Sequence, residues 1–438
     1  MRRFLRLFVD IERDEVEPAL LFFVFWFLVI VVFWVLKPLK TGVFIDPLGD
    51  RGAELELYAK LMNIGVAILA VWLFSFLYNR VGSRWLIFSL CGLFIGALTW
   101  FAATIEAEAE PGAVKYWAFY LFGDAWTTIW VATFWAYLNE MTATEQSKRL
   151  YGLIGGGGII GGLVGTTVVA TTVETVGMSA LLFGTVVATA ILGLIALRIE
   201  MLSARPGAAI GRDVGKARIV AEKEKTNAAI DGAKLVAASK YLFAIAMIMF
   251  LYEFASQILD YQFKNELESV EGAAETSAFF ANIGIIINTV SIITQFFLVS
   301  LIIRKWGITT ALLVLPVAML ISSGVYFAIP VLWAGSLLTV SDNSLNYSIN
   351  QTSRETLFVP TSGDVKYKAR AFINMFVQRF GKGIAILMAL GLTAFPIRYL
   401  SFLAAAVIAV WCGFAWYAGR RFDEETGEEA EERLEAAI

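Results

Sequence analysis

Long apolar runs, rather than amphipathic stripes, set the pattern of this chain. Runs near 18–45, 56–79, 85–103, 114–138, 150–173 and 177–198 are each long enough to cross a hydrocarbon core about 30 Å thick as a helix. A polar stretch over 199–239 follows. The runs then resume near 240–263, 277–303, 308–327, 329–350, 370–395 and 397–418. The pattern predicts an all-α polytopic membrane protein of about twelve transmembrane helices, six before the polar stretch and six after it. It divides the chain into an N-terminal six-helix half (1–198), a central loop (199–239), a C-terminal six-helix half (240–418) and a tail (419–438). The central loop has no apolar run of spanning length and reads as soluble, with an amphipathic helix. The Glu-rich tail reads as a solvated helix or a disordered end.

Composition agrees. Of 438 residues, 58% are hydrophobic and 17% charged, against roughly 45–50% and 25% in soluble domains. The net charge of −3 argues against a nucleic-acid polymer as partner. There is no histidine, which removes a His proton relay and His-ligated metal sites. No nucleophile–base pairing, metal-ligand spacing or cofactor motif stands out, so an enzyme is not expected. Cys91 and Cys412 lie in apolar spans far apart in sequence and read as buried, inert thiols. The charged N-terminus lacks a small-residue cleavage site and the first run is too long for a signal peptide, so the first span is expected to be retained.

Charge also sets an expected orientation. With the N-terminus in the cytoplasm, about 26 Lys and Arg residues fall in loops and tails on that side. The opposite side holds Lys40, Arg51, Lys115, Lys264 and Arg398, beside acidic segments such as 104–110 and 266–275. Both termini and the central loop are therefore expected in the cytoplasm of a bacterial inner membrane.

The two halves echo one another. Asn63-Ile64-Gly65 in the second span matches Asn282-Ile283-Gly284 in the eighth, and the basic turns after these spans, 79–84 and 304–307, also correspond. Leu138-Asn139 ahead of Lys148-Arg149 resembles Ile349-Asn350 ahead of Arg354. Parallel six-span repeats joined by a basic loop are the layout of the major facilitator fold, in which the solute sits near the midplane between the halves.

Ionisable groups deep in a span cost several kcal/mol unless they face a cavity or a partner. Counting along each span places Asp124, Glu253, Asp342, Arg379 and Lys382 deep, with Asn343, Asn346 and Asn350 beside Asp342. One reading is internal ion pairing that locks the halves. The other is a polar cavity for a charged solute, and transporter gates can alternate between the two. Arg379 and Lys382, three apart on a helix, suit a carboxylate or phosphate. Lys37 and Lys40 share a face at the end of the first span, where they either snorkel to the interface or enter the cavity, with Pro38 able to loosen the helix between them. Asp260 and Lys264 stand at the comparable end of the seventh span, as an i,i+4 pair or paired across the pseudo-twofold with Lys40. The glycine-rich run 155–165 lacks the Gly-Lys-Ser/Thr ending of a phosphate loop, and Gly157, Gly161 and Gly165, four apart, predict close helix packing. Trp126, Trp130 and Trp135 read mainly as packing or lipid-facing residues, though Trp126, nearest Asp124, could stack on a base.

At these residues the chain resembles the ATP/ADP translocase (nucleotide transporter) family of plastids and obligate intracellular bacteria, along almost its whole length. The segment 36–41 (LKPLKT) is similar to the family's basic first-span segment. The stretch 119–140, with Asp124, Trp126 and Asn139-Glu140, resembles its fourth-span pattern, and Lys148 to Tyr151 its following loop. Asp260 to Lys264 resembles its seventh-span motif. Arg354 to Pro360 followed by Lys366, Arg379 and Lys382 resembles its basic stretch in the C-terminal half. The resemblance implies transport roles for Lys40, Asp124, Asp260 and Arg354, with ATP/ADP exchange as the default. Asp replaces the family's Glu at 124 and 260, Arg replaces Lys at 354, and Thr41 stands where the family has an acid. The expected activity is exchange of nucleotides or related phosphorylated anions by a monomer in the bilayer. The alternatives are a proton-coupled facilitator that titrates Asp124, Glu253 or Asp342, and a non-transporting scaffold. The solute contacts expected are Lys37, Lys40, Asp124, Trp126, Glu253, Asp260, Lys264, Asp342, Asn346, Arg354, Arg379 and Lys382.

Overall fold

The computed structural model describes residues 14–107, 114–142, 144–204, 210, 231–361, 368–370 and 372–435. All regular structure among them is helical. The first span is α1 (Val16–Ile45), which continues through Pro38. A short 3₁₀ turn leads to α2 (Gly52–Thr104), which carries the second and third predicted spans. The fourth span is α3 (Val114–Met141). The fifth and sixth lie in α4 (Thr144–Ser203), whose helix is broken at Gly177, where φ is 81°. Only glycine takes that conformation without strain. After the break, Ser179 N–H donates to Glu106 Oε1 (2.9 Å), so the end of α2 caps the second part of α4.

The seventh span is α5 (Lys240–Leu267), begun by Ser239, whose side chain accepts from Leu242 N–H (3.3 Å). Next come α6 (Ala273–Ile293) and α7 (Val299–Ala328), joined by a π-helical turn over Thr294–Leu298. A second glycine break, Gly307 at φ 80°, separates the eighth and ninth spans within α7. The tenth span is α8 (Leu332–Leu345), a π turn over Asn346–Asn350, and α9 (Gln351–Thr356). The eleventh is a π turn over Ile373–Val377 followed by α10 (Gln378–Gly391), and the twelfth opens α11 (Leu400–Glu435). The C-terminal tail is thus helical to Glu435, while most of the central loop, with its predicted amphipathic helix, lies outside the described residues.

Seven helical stretches among the described residues are apolar and long enough to cross a membrane. Two of them, Leu150–Ser203 and Ala273–Ala328, have 54 and 56 residues, enough for two crossings each, and they divide at the two glycine breaks. The fourth, tenth and eleventh spans have spanning length but carry too many polar residues to stand out by hydropathy. With them, the described residues hold twelve stretches of spanning length.

The chain forms two compact units: Met1–Arg218 with Val270–Ile285, and Ile219–Ser269 with Ile286–Ile438. The outer part of α6, grouped by hydropathy with the second six spans, therefore packs with the first. Gly42 makes this possible, because a Cβ there would collide with Ser277 and the Ala273 carbonyl. Asp46 Oδ1 also accepts from Gly272 N–H (2.7 Å).

In the first unit, α1 and α4 meet backbone to backbone. A Cβ on Gly157, Gly161 or Gly165 would lie 2.6, 2.6 and 2.7 Å from the carbonyl oxygens of Phe23, Phe27 and Val31. The four-residue spacing is matched on both helices, as close packing of small residues requires. The rest of the core is aromatic. Phe25 and Trp26 of α1 pack on Trp130 and Phe134 of α3, with Trp26 and Phe134 stacked at 4.4 Å. The second unit is built on α5. Gly381 of α10 approaches the Phe250 carbonyl, where a Cβ would lie 2.8 Å away. Gln262 donates to Ser401 (3.0 Å), and Tyr326 donates to Glu266 (2.7 Å).

Candidate functional site

Each unit carries a polar cluster inside its apolar packing. In the first, Lys40 near the end of α1 is 8% exposed and ion-paired with Asp124 of α3. Its ammonium lies over the Tyr120 ring, 4.1 Å from the centroid. Gly123 makes room for the lysine stem, since a Cβ there would sit 3.1 Å from Lys40 Cδ. The second Asp124 oxygen accepts from Asn63 Nδ2 of α2. That bond fixes the amide orientation and leaves Asn63 Oδ1 buried with no partner in the protein. A buried acceptor of this kind is costly unless a ligand or water donates to it.

Lys37 goes elsewhere. Its ammonium lies 4.7 Å from the Trp34 ring centroid and 5.9 Å from that of Phe280. Trp126 is fully buried, and its ring packs against Phe94 and Trp130. It serves the aromatic core of the unit and presents no open face to a base.

In the second unit the carboxylates are held by neutral donors. Glu253 of α5, 9% exposed, accepts from Gln378 Nε2 of α10 at 2.6 Å. Asp342 of α8, 3% exposed, accepts from Ser256, one turn after Tyr252 on α5. Its Oδ1 is buried without a protein partner. Asn346 opens the π turn that follows and accepts from Asn350 (3.0 Å). Arg354 lies beside Met249 and over the Tyr252 ring, 5.3 Å from its centroid. Asp260 and Lys264 stand one turn apart on α5, and the 3%-exposed Lys264 has its ammonium 5.9 Å from the Phe263 ring centroid.

Arg379 and Lys382 are both exposed. On α10 they lie about 60° apart on one flank. Gln378, Gly381, Ala385 and Ala389 line the packed face, while the exposed Phe380 and Leu387 point the opposite way. Two exposed arcs of opposite chemistry on one helix have a simple cause: the apolar arc suits lipid and the cationic arc suits water.

The structure thus brings Lys40 to Asp124 in one unit, and Glu253, Asp342 and Arg354 around α5 in the other. It also recruits residues that hydropathy passed over: Asn63, Glu56, Lys60 and Tyr120 in the first unit, Ser256 and Gln378 in the second. A signal existed for the first set, because 56, 60 and 63 fall on one helical face.

Fold comparisons agree with this architecture. A POT family transporter aligns with a TM-score of 0.60 at 10% identity, over 95% of this chain and 99% of that one. A D-xylose–proton symporter aligns with a TM-score of 0.55 at 13% identity, over 93% and 96%. Fold and clusters together define a polytopic α-helical membrane protein of the major facilitator-like class. Within that class the assignment is specific. The profile of the TLC ATP/ADP transporter family matches residues 112–340, and the chain belongs to that family. It is 22% identical to ADP,ATP carrier protein 2 of Chlamydia trachomatis, over 97% of this chain and 92% of that protein. It is 24% identical to ADP,ATP carrier protein 1 of Chlamydia pneumoniae (92% and 90%), and 23% identical to ADP,ATP carrier protein 5 of Rickettsia typhi (88% and 89%).

Proposed function

We propose that this protein exchanges nucleotides of the ATP/ADP type across a bacterial inner membrane, with both termini in the cytoplasm. Membership of the ATP/ADP transporter family and the carrier names of its relatives support the substrate class. The observation that carries the reading is Lys40, a buried ammonium on an apolar helix, compensated by Asp124 alongside an Asn63 acceptor with no protein donor. A phosphate oxygen competes with Asp124 for Lys40, and a sugar hydroxyl or amino group can donate to Asn63 Oδ1. A buried cation needs an anion at all times. Lys40 therefore passes between carboxylate and phosphate, a cycle suited to counter-exchange. In the second unit, Arg354, Arg379 and Lys382 offer further cations suited to phosphate, with Asp260, Glu253, Asp342, Asn346 and Lys264 as polar neighbours.

Purified full-length protein in proteoliposomes tests this. Uptake of labelled ATP is expected to require internal ADP or ATP and to ignore an imposed pH gradient. Absence of nucleotide flux under every condition overturns the proposal. Flux that requires a proton gradient instead favours the coupled reading in which Asp124, Glu253 or Asp342 takes up the proton. Arg379→Ala and Lys382→Ala are each expected to abolish exchange without unfolding the protein, because both side chains are exposed. Wild-type flux in both variants would remove them from the site.

A further inference from the structure

Glu56, Lys60 and Tyr120 form a second charged cluster in the first unit, which the nucleotide reading above does not use. Glu56 and Lys60 lie one turn apart on α2, with Lys60 Nζ 3.3 Å from Glu56 Oε2 and their side chains 3% and 10% exposed. Tyr120 of α3 donates its hydroxyl to Glu56 Oε1 at 2.9 Å. A buried ion pair contributes little net stability compared with apolar residues of the same size. Its retention in an apolar span therefore points to what it touches.

It touches the support of Lys40. The Tyr120 hydroxyl end is tied to Glu56, its ring packs on Phe44 with centroids 4.7 Å apart, and its face carries the Lys40 ammonium. Donation to a carboxylate also makes the phenol ring more electron-rich, which strengthens its hold on a cation. Asn63, further along the same face of α2, holds Asp124 from the other side. Both groups that contact Lys40 are thus fixed from one face of α2: Tyr120 through Glu56, and Asp124 through Asn63. The ring gives Lys40 a second support that stays in place when Asp124 releases the ammonium.

We propose that Glu56, backed by Lys60, is a positioning residue that holds the Tyr120 ring beneath Lys40 and so sets how tightly the Lys40 ammonium engages a phosphate group. The inference rests on the nucleotide-exchange reading for its substrate, though not for its geometry.

The test uses full-length protein in proteoliposomes, with two readouts. One is KM against maximal rate for ATP exchange. The other is the rate at which a water-soluble amine reagent modifies Lys40, mapped by mass spectrometry. Glu56→Gln and Tyr120→Phe are each expected to raise KM about tenfold, the scale of one hydrogen bond to a charged group, while the maximal rate is preserved. Lys40 modification should quicken several-fold in both. Glu56→Asp, which keeps the charge on a shorter arm, should fall between them and the wild type. The double variant Glu56→Met with Lys60→Met removes both charges together and should behave like Glu56→Gln. A double variant that matches the wild type in both KM and Lys40 modification would show a merely structural pair and overturn the proposal. So would Glu56→Gln with unchanged KM and labelling. Should the wild type carry no nucleotide, the substrate reading fails, and the labelling readout alone decides: faster modification in Glu56→Gln upholds the positioning role, and an unchanged rate refutes it.

Discussion

The two units solve the same problem, charge inside an apolar helical body, in opposite ways. The first pairs each buried cation directly with a carboxylate, Lys40 with Asp124 and Lys60 with Glu56. The second gives its carboxylates to neutral donors, Gln378 to Glu253 and Ser256 to Asp342, and rests Arg354 on Tyr252. A cation paired with a carboxylate must be exchanged before it can bind an anion. A guanidinium resting on a ring keeps donor groups for one. The first unit is thus built to swap one anion for another, and the second to accept an anion without first breaking an ion pair.

The sharpest way to break this comparison is Lys40→Met. It leaves Asp124 buried without its cation, so unfolding in detergent should become easier by about 3–5 kcal/mol, and exchange should vanish. Adding Asp124→Asn should recover most of the stability but no flux. A single variant as stable as the wild type would mean that Asp124 is already compensated by other groups. In the second unit, Gln378→Leu removes the donor to Glu253 and should cost about 1–3 kcal/mol, read from thermal unfolding. No loss would show that a neutral donor is dispensable there. The smallest effect belongs to Arg354→Lys, which keeps the charge but loses the planar stack on Tyr252. A fall of about fivefold in exchange, worth ~1 kcal/mol, is expected. An unchanged rate would mean that charge alone matters at this position.

Much of the fold was legible because the bilayer imposes span length, and long apolar runs report it directly. The glycines at 157, 161 and 165 were legible for a similar reason, since a four-residue spacing survives in any helix. Asp124, Glu253 and Asp342 stood out as isolated charges deep in apolar runs. Glu56 and Lys60 did not, because they fall at the edge of the second run, where charges ordinarily meet water. The grouping of Val270–Ile285 with the first unit depends on Gly42 meeting Ser277, a contact between distant parts of the sequence that no local pattern reports. Trp126 misled by proximity. It follows Asp124 by two residues, which on a helix turns its side chain to a different face, into the core.

The π turns at 294–298, 346–350 and 373–377 all fall in the second unit. Each holds one residue more than the α-helical turn it replaces. A chain shortened by one residue at any of them would keep its helix, but everything beyond would swing by about 100° around the axis. At 346–350 that swing would carry Arg354 off Tyr252, and at 373–377 it would carry Gln378 off Glu253. The polar lining of this unit is therefore written in the length of the chain as much as in its letters, and a deletion there would act as a change of register without a single substitution.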